Sequence, residues 1–392
     1  MNEVVIVDAV RTPIGRFRGA LASVRADHLA ACVLEALLKR NRLAPSSVND
    51  VVLGCVSQIG EQCGNIARTA LLGAGFPEFV PGMTVDRKCG SGEAAIHTGY
   101  AAIAAGLAEI VIAGGAESMT RVPMGSNRDL HGTPFGRLLQ ERFELTSQGE
   151  AAERISDLWN LTAADHDAYA VESHRRAAAA ADAGRFDHER VPVELARWAD
   201  DPVAVSDHWL TDDETIRRDT TPEKLAALKR VFRECGRVSA GNASQISDGA
   251  AAVLLMSAAA ARRHGLRPRA RLLAAVTVGS DPVLMLTGPI AATREVLRRA
   301  GLAAADVDLF EVNEAFASVP LVWMKEMGIG HERLNVNGGA ISLGHPLGAS
   351  GARLMATLLN ELERRSVRYG VQAICCAGGM ATATLLERVA VA

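Results

Sequence analysis

The chain reads as an α/β protein of two similar halves with a charged segment inserted between them, and three observations predict this. Short β-branched runs alternate with long helical stretches from Val4 onward, the order expected of a sheet covered on both faces. That order recurs near the C-terminus. Leu38 to Val48 lines up with Leu297 to Val307 at an offset of 259, which also brings Gly54 onto Asn313 and Ser91-Gly92 onto Ser350-Gly351. Gly114-Gly115 meets Gly378-Gly379 at a larger offset of 264, and an internal duplication is the economical reading. The third observation is the stretch from Ser118 to Ser247, richer in charge and holding Trp159, Trp198 and Trp209.

Element by element, Val4 to Val7 is predicted as the first strand and Ala26 to Arg42 as a helix. Asp50 to Val56 is a strand, Gln62 to Ala74 a helix and Met83 to Asp86 a strand. Cys89 to Gly106 follows as a helix, and Ile110 to Ala113 as a strand ending in Gly114-Gly115. The insert shows one clear helix, with Thr162 as N-cap and Gly184 just past its end. In the second half, Arg333 to Asn337 reads as a buried strand, Gly338 to Gly351 as a Gly-rich loop around His345, and Ala352 to Arg365 as a helix. Val371 to Ile374 is the last strand considered. The expected division is 1–117 with 248–268 for the first half, 118–247 for the insert and 269–392 for the second half.

Composition bounds the function. With 392 residues, 48% hydrophobic and 22% charged, the chain is globular and long enough for two or three domains. A net charge of −3 gives no electrostatic reason to expect nucleic acid or an anionic membrane. No apolar run approaches 18 residues and a strand begins at Val4, so neither a signal peptide nor a membrane span is expected. The seven Cys are odd in number and scattered without a CxxC pair, which fits free thiols in a reducing cytoplasm.

Matched helix-start loops on facing halves are a natural place for an active site, and each carries a reactive residue. Cys89 follows Asp86-Arg87-Lys88 where a strand gives way to a helix. The helix dipole and the two basic neighbours favour thiolate, the nucleophilic form. A buried, inert Cys is the other reading. The Gly-rich loop around His345 lets backbone approach a ligand closely and exposes N–H groups at a helix start. Cys375-Cys376 ends a strand, so the two side chains point to opposite faces and one at most faces the cleft. Core packing or a metal site with His345 is the competing reading, although the spacing matches no familiar ligand set. Asn313, in Phe310-Glu311-Val312-Asn313-Glu314-Ala315-Phe316-Ala317, is either a helix cap or an amide for an oxyanion pocket.

Seven blocks in order carry a resemblance across essentially the whole chain. They are Arg11-Thr12-Pro13-Ile14-Gly15, Cys89 to Gly92, Gly114-Gly115-Ala116-Glu117-Ser118-Met119, Ala240-Gly241-Asn242-Ala243-Ser244, Asn313 to Ala317, Asn335 to Gly351 and Cys375 to Gly379. Together they resemble the thiolases, acyl-CoA:acetyl-CoA acyltransferases. The resemblance implies a duplicated thiolase fold, a five-layered αβαβα core with an inserted loop domain. It implies that Cys89 is the acylated nucleophile, that His345 is its activating base and helps bind the thioester oxygen, and that Cys375 is the acid/base at the substrate α-carbon. Asn313 would hold a water in one oxyanion hole, and the N–H groups of Cys89 and Ala377 would form the other. Ungapped spacing from His345 selects Cys375 over Cys376 as the second catalytic thiol.

By the same resemblance, Ser244 meets the pantetheine arm of coenzyme A, Phe232 lines its tunnel and Arg217 lies near the adenosine. CoA is a co-substrate, with CoA thioesters as partners. No metal or permanently bound cofactor is implied. The family usually has Gly where Ala377 stands. Ser147-Gln148-Gly149 replaces a usual His-Met-Gly, and Met285-Leu286-Thr287-Gly288-Pro289 a usual Met-Gly-x-Gly-Pro, so Gln148 and Met285 are expected in the acyl pocket. These departures resemble degradative thiolases of actinobacteria, some acting on fatty or steroid acyl chains. A biosynthetic acetoacetyl-CoA thiolase is the alternative, and a non-catalytic CoA- or lipid-binding relative a more distant one. A short segment from Ser118 to Gln148 points to a homodimer first and a tetramer second.

Overall fold

The computed structural model describes residues 2–128, 130–201 and 208–390. Five strands of four residues or more form the first half, β1 (Val4–Arg11), β2 (Asp50–Gly54), β3 (Gly82–Val85), β4 (Ile110–Ser118) and β5 (Ser247–Ser257), and the short strand Gly15–Arg16 pairs with β5. Four form the second, β6 (Ala270–Gly279), β7 (Leu309–Val312), β8 (Tyr369–Cys376) and β9 (Met380–Arg388). The described helices of eight residues or more are α1 (Ala26–Asn41), α2 (Ile66–Gly73), α3 (Ser91–Ala104), α4 (Gln148–Leu158), α5 (Ala163–Asp182), α6 (Gly288–Ala300), α7 (Ser318–Met327) and α8 (Ser350–Arg365).

The strands follow the order β7-β8-β9-β6-β1-β5-β4-β2-β3. In the first half β3, β2, β4 and β1 run in one direction, and β5, between β4 and β1, runs against them. The second half repeats the pattern, with β7, β8 and β6 in one direction and β9, between β8 and β6, against them. The halves join at β1 and β6 through two residue pairs, Val5 with Arg271 and Ile6 with Ala270.

Three apolar clusters fill the spaces between five layers. Leu29, Val33 and Leu37 of α1 pack on Leu53, Ile112 and Leu254 of the first half-sheet. Ile96 and Ile103 of α3 join Met355 and Leu359 of α8 in the middle layer, against Val253 and Leu386 from the two half-sheets. Val296 of α6 and Trp323 of α7 pack on Phe310 and Val371 on the far side. The sequence-predicted αβαβα order is therefore observed.

The duplication is equally plain. Asp50 and Leu309 open β2 and β7, Ser91 and Ser350 open α3 and α8, and Ile110 and Tyr369 open β4 and β8, each pair 259 residues apart. The offset of 264 for the Gly pairs is not the structural one. Gly114 lies within β4 opposite Leu53, and its equivalent opposite Val312 is Ala373, whereas Gly378 occupies the turn after β8 with φ 88°.

Other expectations need correction. Arg333 to Asn337 is not a strand, because Asn335 takes a left-handed φ of 45°. Its side-chain amide instead completes the edge of β7, accepting from Val312 N at 2.9 Å and donating to Val312 O at 2.9 Å. The helix expected from Gln62 starts at Ile66, where Asn65 caps it. The helix expected from Cys89 starts at Ser91. The insert holds α4 as well as α5, together with short turns and the ribbon of Val193–Glu194 with Trp209–Leu210. The expected caps of α5 are observed, with the Thr162 side chain accepting from Asp165 N and Gly184 at φ 64°.

Arg11 fastens the insert to the core. Fully buried, it meets Glu189 through Nε at 2.6 Å and Asp213 through Nη1 at 2.6 Å and Nη2 at 3.0 Å. A guanidinium buried this way is costly to leave unpaired, so the Arg11-Thr12-Pro13 block reads as architecture. No described helix is long and apolar enough to cross a membrane.

Candidate active site

The starts of α3 and α8 meet at the centre of the molecule, and glycine makes the approach possible. A Cβ on Gly348 would overlap the carbonyl oxygens of Gly54 and Ala116, and one on Gly351 would overlap Glu93 N. Glu117, buried at the end of β4, fixes the crossing. Its oxygens accept from Gly348 N and Val56 N at 2.9 Å each, from Ser57 N at 2.9 Å and from Gln62 Nε2 at 3.0 Å. One carboxylate thus holds the His345 loop of the second half against the first half.

Cys89 lies just ahead of α3, between Lys88 at φ 51° and the N-cap Gly90. It is buried in a small cluster with Met119, Leu347, Leu354 and Ile374, so Leu347 of the His345 loop packs beside it. Here the structure overturns the expected thiolate. Burial pushes the Cys89 thiol up to about 11, against the opposing pull of the N–H groups of Cys89 and Ala377. The Lys88 ammonium is spent on Asp86 at 2.5 Å, and desolvation of the anion wins over what remains. At rest the Cys89 side chain is a thiol. The N–H groups of Cys89 and Ala377 both bear on the sulfur, the pair expected for an oxyanion hole.

His345 is held in a defined tautomer. Its backbone N–H is held by Ser247 Oγ at 2.8 Å and Gln245 O at 3.1 Å. Its Nδ1 lies 2.6 Å from Ser350 Oγ, whose own hydrogen goes to Pro346 O at 2.9 Å. With that hydrogen committed, Ser350 accepts from Nδ1–H and leaves Nε2 as an acceptor, facing the Asn313 amide. Burial, reinforced by the Arg353 charge, lowers His345 to about 3, so the imidazole is neutral at physiological pH.

Asn313 follows β7, and its Nδ2 lies 3.4 Å from His345 Nε2. Its Oδ1 is buried and unpaired. The neighbouring Glu314 accepts from Tyr169 Oη at 2.9 Å, Ser173 Oγ at 2.8 Å, Asn335 Nδ2 at 3.1 Å and Ile341 N at 3.0 Å. These bonds tie α5 of the insert to the loops bearing Asn313 and His345.

Cys375 and Cys376 point to opposite faces, as expected. Cys375 joins Met285, Ala315 and Phe316 in the apolar cluster of the second half. Cys376 turns inward, where a Cβ on Gly90 would strike its Sγ. Burial raises both thiols, and the Cys89 charge acts on each. Cys89 therefore interacts with Cys375 and with the Ala377 N–H, His345 faces Asn313, and Leu347 brings the His345 loop to Cys89.

The residues expected around CoA line the insert in two groups. Phe232 lies over Gly149 and edge-on to Phe316 at 6.2 Å, while Ser244 N donates to Ala315 O at 3.0 Å. Arg217 lines a separate cleft of about 190 Å³ with Leu225, Leu228 and Gly241. Gln148 opens α4 after its N-cap Ser147. Thr146 Oγ1 donates to Val283 O at 3.0 Å, which draws the Gln148 and Met285 segments together. Sequence reasoning gave no role to Ser350, Ser247, Glu117 or Glu314. The Ser-Gly repeat at Ser91 and Ser350 was the one available signal.

Comparison with known proteins follows the same lines. The sequence matches the family described as thiolase, N-terminal domain over residues 4–259 and thiolase, C-terminal domain over residues 266–388. It is 45% identical over 398 residues to the steroid 3-ketoacyl-CoA thiolase FadA6 of Mycobacterium tuberculosis, covering 99% of this chain and 95% of that one. It is likewise 45% identical over 406 residues to a beta-ketoadipyl-CoA thiolase of Pseudomonas putida, covering 99% and 100%. Among solved structures, an acetyl-CoA acetyltransferase of Bacillus anthracis superposes with a TM-score of 0.90 at 38% identity over 99% of each chain.

Proposed function

The chain belongs to the thiolase family, and from that premise we propose that it cleaves 3-oxoacyl-CoA with CoA in the degradative direction. The products are acetyl-CoA and an acyl-CoA shortened by two carbons. The observation that carries this reading is the convergence of Cys89 and His345, from the interlocked loops ahead of α3 and α8, with Cys375 at the end of β8 and Asn313 after β7.

In the proposed mechanism His345 Nε2 takes the Cys89 proton as the sulfur attacks the C3 carbonyl. The resulting oxyanion is met by the N–H groups of Cys89 and Ala377. The C2–C3 bond then breaks, leaving the acyl group on Cys89 and the enolate of acetyl-CoA. The enolate oxygen is stabilised by His345 and by a water on Asn313, and Cys375 delivers a proton to C2. Cys375, now a thiolate, deprotonates incoming CoA, whose sulfur takes the acyl group, and the departing Cys89 sulfur recovers its proton from His345. Two thiols are needed because acyl transfer and carbon protonation occur at different atoms.

CoA itself is assigned to the insert, residues 118–247, with Phe232 and Ser244 along the pantetheine arm and Arg217 by the adenosine. The cleft lined by Arg217, Lys224 and Gly241 supports the adenosine end of this assignment. Gln148 and Met285 are assigned to the acyl pocket, and the names of the 45% identical relatives favour a bulky or dicarboxylic acyl chain. The open edge of β3, with Leu72, Phe79 and Met83 exposed beside it, supports a homodimer ahead of a tetramer. Seven free thiols support a cytoplasmic setting.

Intact-protein mass spectrometry after mixing with acetoacetyl-CoA or a bulky 3-oxoacyl-CoA, with peptide mapping, tests the reading. An acyl adduct on Cys89, lost in Cys89→Ala, is expected, and the faster donor narrows the substrate. An adduct on another residue overturns the nucleophile. No thiolysis of any 3-oxoacyl-CoA overturns the function.

A further inference from the structure

One cleft of the molecule shares no lining residue with the surroundings of Cys89. It is a cleft of about 810 Å³ where β1, the end of α1, the chain after α5, the approach to β6 and the second half of α8 converge. Five guanidinium groups, those of Arg40, Arg185, Arg267, Arg269 and Arg364, line it against the two carboxylates Asp8 and Glu363. That is a surplus of three positive charges in a chain whose net charge is −3.

The carboxylates are already committed. Asp8 accepts from Asn41 Nδ2 at 3.0 Å and pairs with Arg40 at 3.2 Å and Arg269 at 3.1 Å. Glu363 takes Arg269 at 2.5 Å, and Arg364 goes to Glu361 at 2.5 Å. Two cations remain. Arg267 is exposed without a charged or hydrogen-bonded partner among the described residues, and Arg185 holds only the neutral Asn337 Oδ1 at 3.0 Å. The paired arginines form fixed walls, and the two uncommitted forks face a space of the size that small ligands fill. Planar guanidinium forks suit phosphate oxygens.

We propose that this cleft binds a small phosphate-bearing anion through Arg185 and Arg267, at a site separate from the CoA groove. Two sources share that chemistry, a nucleotide and a bare polyphosphate, and calorimetry on the full chain with pyrophosphate and with ADP separates them. One pyrophosphate site per chain is expected, weakened at least tenfold in the Arg185→Gln/Arg267→Gln variant and retained in Arg217→Gln. Arg267→Ala alone, at an exposed position that leaves folding intact, is expected to weaken it as well. Tighter binding of ADP than of pyrophosphate would identify a nucleotide site, and equal binding a polyphosphate site. The proposal is overturned if pyrophosphate gives no saturable heat, if the double variant binds it unchanged, or if Arg217→Gln is the substitution that abolishes binding.

Discussion

His345 Nδ1 lies 2.6 Å from Ser350 Oγ, five residues further along the chain, and this bond decides which imidazole nitrogen keeps its lone pair. Because Ser350 donates to Pro346 O, it accepts from Nδ1–H, and Nε2 is left for proton transfer. Ser350→Ala removes the acceptor and strands a buried donor, at about 1–3 kcal/mol. Acylation of Cys89, followed by rapid quench, should slow roughly ten- to a hundredfold, while the affinity for CoA should hold. An unchanged acylation rate would show that Ser350 does not set the tautomer.

The ionisation of the pair gives a second prediction. Cys89 is raised to about 11 and His345 lowered to about 3, so at neutral pH the free protein holds thiol and neutral imidazole, not an ion pair. Alkylation of Cys89 by iodoacetamide, tracked by peptide mapping, should rise with pH from 6 to 10 without levelling near 8. A plateau by pH 7 would mean a resting thiolate–imidazolium pair. The His345 contribution to stability follows with its own sign. Its folded value lies below the unfolded 6.5, so that stability is present above 6.5 and is lost as pH falls toward 3.

Much of this was legible in the residues. The 259-residue repeat anticipated the equivalence of α3 with α8, and turn chemistry anticipated the loops of Cys89 and His345. The misreadings share a cause, which is that tertiary contacts replaced local rules. Asn335 serves β7 with its side chain where a strand was expected. Burial of Cys89 overrides the charge of Lys88, which Asp86 has already claimed. Glu117 and Ser350 act through partners 231 residues away in the first case and five in the second. The long-range bond leaves no periodic trace in sequence.

The two adjacent thiols make a sharp comparison. Cys375 shares a cluster with Met285 and Phe316, whereas Cys376 is packed against Gly90. Cys375→Ser should still form the acyl-enzyme from an acyl-CoA donor yet lose the carbon–carbon step by more than a hundredfold. Cys376→Ser should change turnover by less than tenfold. Steady-state thiolysis beside acyl-enzyme mass spectrometry checks both, and an exchange of the two behaviours would move the acid/base to Cys376.

Glu117 bears on how the halves stay in register. Its two oxygens accept from four donors, three of them backbone N–H groups, and the one on Gly348 belongs to the His345 loop. In Glu117→Gln an amide N–H₂ must replace one acceptor oxygen and face donors in a buried site. Each stranded donor costs about 1–3 kcal/mol. The substitution removes no group from the chemistry, so loss of activity would have to arise through displacement of His345 and Cys89. The expected result is a melting temperature lower by several degrees and a fall in kcat with little change in KM for CoA. Glu117→Asp, which keeps the charge and shortens the reach, should recover part of the stability. If Glu117→Gln lowers stability and leaves kcat intact, the interlock is purely structural and His345 is positioned by Ser247, Gln245 and Ser350 alone.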